Sequence, residues 1–105
     1  MLVTKKKIPA GGSIVVTLPF ESVGVRRIIL NSRSDNLVLY YDAISLLVTN
    51  AYDSLYEINF ESYYGYPDAS HFKLVNNADN DTYPRVLIDT VPSSPINLNY
   101  FTEVQ

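Results

Sequence analysis

The sequence predicts an all-β protein, a small single-domain β-sandwich of about seven or eight antiparallel strands. Apolar and polar side chains alternate with a period of two along most of the chain, which is the pattern of half-buried strands. Clusters of Gly, Pro, Asn and Asp interrupt that alternation at the spacing of a sandwich or small barrel. Apolar positions with helical period and flanking caps are missing. Jelly-roll-like and immunoglobulin-like strand orders both remain open. At 105 residues the chain is expected to form one domain, 1–105, that buries roughly 65% of its extended surface.

Leu2 to Ile8 reads as the first strand, ended by Pro9-Ala10-Gly11-Gly12, where glycine supplies the positive φ of a tight turn. Ser13 to Leu18 follows, with Ile14, Val16 and Leu18 on one face. Pro19 stops ladder pairing and Val23-Gly24 offers a turn. Val25 to Asn31 is the third strand, in which strict alternation puts Arg26 on the face of Ile28 and Leu30. Ser32 to Asn36 is a polar loop.

Leu37 to Asp42 is apolar on both faces, Leu37, Leu39 and Tyr41 on one and Val38 and Tyr40 on the other. That is the pattern of a strand covered on both sides. In a one-domain sandwich the second cover is expected to be another chain. Ala43 to Asn50 fits a helical turn as well as a short strand. In Leu55 to Glu61, Tyr56, Ile58 and Phe60 oppose Glu57, Asn59 and Glu61. His71 to Val75 leads into the polar segment 76–82, and Arg85 to Val91 leaves it. Beyond Pro92-Ser93-Ser94-Pro95, Ile96 to Thr102 reads as a last strand.

Hydrophobic residues make up 47% of the chain and charged residues 18%, which is the composition of a folding chain. Without cysteine, disulfides, thiolate metal sites and cysteine nucleophiles are excluded. The N-terminal segment lacks the apolar stretch of a signal peptide, and the longest apolar run, Ala43 to Val48, is too short to span a bilayer. A soluble protein made in a cytoplasm, with no membrane partner, is expected. Residues 1–34 carry six Lys/Arg against Glu21 alone, and residues 35–105 carry two against ten Asp/Glu, so the first third is +5 and the rest −8. Such polarity steers copies together.

Catalytic chemistry finds little to work with. His71 is the single histidine, beside Phe72, and a Gly-x-Ser-x-Gly elbow is absent. Glu57, Glu61 and Asp68 are candidates for a carboxylate pair, yet Glu57 and Glu61 occupy the polar side of a strand. Asp79-Asn80-Asp81 is oxygen-rich but lacks the glycine and terminal glutamate of a calcium loop, and reads as a polar turn. Ala10-Gly11-Gly12-Ser13 opens a strand and not a phosphate-binding helix. Lys5-Lys6-Lys7 and Arg26-Arg27 face an overall pI near 4.9, so nucleic acid is not the favoured partner. No enzyme, cofactor or metal is expected. Tyr63-Tyr64-Gly65-Tyr66-Pro67 gathers three of the nine tyrosines in one loop, where their rings suit a protein interface or a sugar.

Ile8-Pro9-Ala10-Gly11-Gly12-Ser13-Ile14-Val15-Val16, Val25 to Ser32 and Leu37 to Asp42 together resemble the opening of small β-sandwich virion proteins of tailed bacteriophages, the capsid decoration and head accessory proteins. The likeness covers residues 8–42. It implies a homo-oligomeric structural protein in the virion, in contact with components such as the major capsid protein. The interface expected is Leu37, Leu39, Tyr40, Tyr41, Tyr63, Tyr64 and Tyr66. The alternative is a carbohydrate-binding or receptor-contacting module in which Tyr63, Tyr64 and Tyr66 stack on a glycan while Glu61 and Asp68 hold its hydroxyls.

Overall fold

A computed structural model describes residues 6–18, 21, 23–60, 65–91, 96–97 and 100–104, with only the backbone course given for 96–97. The strands are β1 (Ser13–Val16), β2 (Gly24–Asn31), β3 (Leu37–Tyr41), β4 (Ile44–Val48), β5 (Leu55–Asn59), β6 (Phe72–Asn76), β7 (Arg85–Val91), β8 (Ile96–Asn97) and β9 (Phe101–Glu103), with a 3-10 turn at Ala69–His71. They form a five-stranded sheet ordered β4-β3-β6-β1-β9 and a four-stranded sheet ordered β5-β2-β7-β8. Every pairing is antiparallel. The all-β sandwich read from the alternation is the observed fold. The chain changes sheet at nearly every connection, staying within one sheet only from β3 to β4 and from β7 to β8.

Both sheets send their apolar faces into one core. Ile14, Leu37, Leu39, Phe72, Leu74 and Phe101 from the first sheet meet Val25, Ile28, Leu30, Val86 and Ile88 from the second, all buried. Tyr41 and Phe60 each approach Phe72 edge-on, with ring centroids 5.0 Å and 5.9 Å apart, the geometry that the ring quadrupoles favour. Tyr56, Ile58 and Phe60 pack against this core from β5 and its end, as their alternation predicts. The residues expected to form a first strand, 2–8, lie mostly outside the described residues. Ile8 is fully buried and exchanges backbone hydrogen bonds with Thr82 as an isolated antiparallel bridge.

Three expectations are changed by the structure. First, Arg26 does not share the face of Ile28. Val25 pairs with Thr90 and Arg27 with Asp89, so Arg26 is the extra residue of a bulge. The bulge turns Val25 into the core at 0% exposure and leaves Arg26 exposed. Without it, period-two alternation would bury a guanidinium. Second, Ile96 to Thr102 is not one strand, because β8 pairs with β7 in one sheet and β9 with β1 in the other. Third, Leu37 and Leu39, expected at an interface, are buried in the core between the sheets, with 0% and 3% exposure. The ambiguous segment 43–50 resolves as strand β4, reached through Asp42 at φ 52, a left-handed conformation that Asp tolerates better than most residues.

Candidate functional site

The two outward faces of the sandwich differ in chemistry. In antiparallel sheets, residues directly opposite one another share a face. On the outside of the five-stranded sheet the register therefore lines up Val48, Val38, Val75 and Ser13 in one row. Ser45, Tyr40, Lys73, Val15 and Thr102 form the next. Lys73 is the single charge in these rows, and its ammonium lies over the Tyr40 ring, 5.5 Å from the centroid. Val38 is 5% exposed even on this outer side, whereas Val48 is 51% exposed. The outside of the four-stranded sheet carries charges instead. Arg27 holds Asp89 through Nη2 at 2.5 Å and Nε at 2.9 Å and lies 3.9 Å from Glu57, beside the half-buried Ile29 and Leu87. The same face also carries Leu55, which pairs with Asn31 and is 64% exposed.

The predicted contact residues fall in different places. Tyr40 stands on the outer valine face. Tyr41 points inward, and its hydroxyl accepts the Asp68 backbone N–H at 3.3 Å. Tyr66 is half-buried against β2, where a Cβ placed on Gly24 would meet the Tyr66 Cβ at 2.7 Å, so only glycine fits at the start of that strand. Tyr63, Tyr64 and Glu61 lie outside the described residues.

His71 sits at the end of the sandwich that also carries the β3–β4 turn. Its Nδ1 is 2.6 Å from Asp42 Oδ1, and its Nε2 is 3.8 Å from Asp68 Oδ2. The hydrogen bond that the Nδ1–H donates to Asp42, aided by the charges of both carboxylates, holds the imidazolium and raises the His71 pKa above the ordinary histidine value. Asp68 caps the 3-10 turn, its carboxylate accepting from the Ser70 N–H and hydroxyl. Glu57 and Asp68 thus serve separate partners, Arg27 on a sheet face and the turn at one end.

At the opposite end, the loops after β2, β4 and β6 enclose an open cleft of about 440 Å³, walled by residues 33–36, Ala51 and 77–81. Its walls are fixed from below. Asn76, fully buried, donates from Nδ2 to the Ile8 and Asn80 carbonyls and accepts the Ala78 N–H on Oδ1. Asp35 Oδ1 accepts the Ala51 N–H at 2.6 Å, the Asn77 N–H reaches the Asn36 carbonyl, and Asn36 takes φ 56. Asp81 accepts the Ala10 N–H and lies 3.8 Å from Lys7 Nζ. The polar turn read at 79–81 is therefore real, and among the described residues no group of three His, Cys, Asp or Glu is arranged to hold a metal ion. Sequence reasoning missed the cleft, because its walls come from three loops that each look like an ordinary turn.

Comparison with protein-family models, with curated proteins and with solved structures finds no match.

Proposed function

We propose that this chain is a non-enzymatic structural protein that assembles on a virion through homo-oligomeric and capsid contacts, and that the outer face of its five-stranded sheet makes those contacts. The observation that carries the reading is the contrast between the two outer faces. One is ion-paired, and the other places Val15, Val38, Val48, Val75 and Tyr40 around one lysine. Burying such a face stabilises an association by roughly 25 cal/mol per Å² of apolar area, less the cost of association itself. This face is where the second cover expected of the doubly apolar β3 strand would sit. The polarity of the sequence, +5 in its first third and −8 beyond, suits head-to-tail packing of copies. The N-terminal resemblance to phage decoration and head accessory proteins supplies the virion setting.

The test is mass spectrometry of purified particles from the phage whose genome encodes the chain, together with sedimentation of the purified protein with emptied capsids. Presence in the particle and co-sedimentation, lost in a Val48→Lys/Val75→Lys variant, support the proposal. Absence from the particle sinks the virion setting.

A further inference from the structure

We propose that the loop-end cleft is a binding site for a neutral saccharide. The side chains around it divide into two sets. Asp35, Asp81 and Ser34 are engaged by the protein, with the Ala51 N–H, with the Ala10 N–H and Lys7, and with the Thr82 hydroxyl respectively. Arg33, Asn36, Asn77, Asp79 and Asn80 line the same cleft, and among the described residues their side chains make no hydrogen bond or ion pair. Residues bearing a guanidinium, a carboxylate and three carboxamides thus border one space, on loops whose backbones are already locked by Asn76, Asp35 and the Asn36–Asn77 bond. Pre-fixed walls lower the ordering cost that a ligand meets.

The chemistry selects the ligand class by exclusion and by fit. Apart from Ala51 and Ala78 the walls are polar, unlike the largely apolar pockets that take drug-like or lipid molecules. One arginine stands against Asp35, Asp79 and Asp81, so the field repels phosphates and other anions. Among the described residues no three His, Cys, Asp or Glu side chains are grouped to hold a metal ion. Carboxamides donate and accept at once, a carboxylate accepts, and a guanidinium donates, which matches the vicinal hydroxyls of a sugar. Next to Ala51, Tyr52 is 97% exposed while its loop is pinned by Asn50 Oδ1, which accepts the N–H groups of Tyr52 and Asp53. A solvent-facing ring on a fixed backbone next to a wall residue of the cleft is available to stack on the apolar side of a pyranose.

The protein should be screened on an array of neutral glycans, and the strongest hit titrated into the ¹⁵N-labelled chain, with inorganic phosphate and calcium chloride as parallel probes. The expected result is saturable binding whose amide shifts concentrate at residues 33–36, 51–52 and 77–81. Asp79→Ala and Asn80→Ala should each weaken it about five-fold or more, the loss of one or two hydrogen bonds, with unchanged melting temperature. Tyr52→Ala should weaken it similarly. A silent array, shifts mapping elsewhere, or saturable binding of phosphate or calcium at these loops in place of sugar would overturn the proposal.

Discussion

Asn76 shows how one polar side chain can organise a region. It is fully buried, yet its carboxamide meets two carbonyls and one N–H, tying the distant Ile8 to Ala78 and Asn80 of the loop that follows it. Buried polar groups are tolerated when satisfied and costly when orphaned. Asn76→Ala removes three hydrogen bonds, leaving the Ile8 carbonyl only its Thr82 N–H partner, and should lower stability by about 2–4 kcal/mol in urea denaturation. Asn76→Asp loses the donor and should destabilise as well. His71 is the contrasting case of an exposed group. Its pKa is raised because Asp42 holds the charged form, so the pair stabilises the fold below the unfolded-state value and is lost as pH rises through the native one. Titration of the His71 ring by NMR should give a pKa above the ordinary value of about 6.5 that drops in Asp42→Asn. The melting-temperature advantage of the parent over Asp42→Asn should be full below about pH 6.5 and shrink as pH rises through the raised native His71 value.

At the scale of elements, β2 is where local pattern and packing disagree. Strict alternation places Arg26 inside, and the bulge between Val25 and Arg27 moves it out while keeping Val25 at 0% exposure. Val25→Arg should therefore prevent folding or cost several kcal/mol, because it buries an unpaired charge. Arg26→Ala should stay within about 0.5 kcal/mol of the parent by chemical denaturation. Most strands were legible because a half-buried strand writes its period into the sequence, as Tyr56, Ile58 and Phe60 do. The bulge was not, since alternation runs through it without a mark. Neither was the split of the last strand, because Ile96, Leu98 and Tyr100 keep the same period while the backbone leaves one sheet for the other. Among the contact residues of β3, parity separates Tyr40 from Leu37 and Leu39 but does not say which set faces outward. Assigning Leu37 and Leu39 to the core required knowing which of the two apolar faces of β3 meets the other sheet.

At the scale of the molecule, the sandwich has two outer faces and two loop ends, and each has its own chemistry. The four-stranded sheet turns ion pairs to solvent through Arg27, Asp89 and Glu57. The five-stranded sheet turns valines and Tyr40 outward. One loop end holds the His71–Asp42 pair and the other the polar cleft. The central claim is that the valine face associates with other chains. Light scattering on size-exclusion-purified protein tests it most directly, for the parent and for Val48→Lys/Val75→Lys at equal concentration. Both changed positions are at least partly exposed, so the variant should keep the parent's circular dichroism. The account predicts a parent mass of two or more whole copies of 11.8 kDa and a variant mass of one copy. A parent that runs as a strict monomer, or a folded variant that assembles as the parent does, would contradict it.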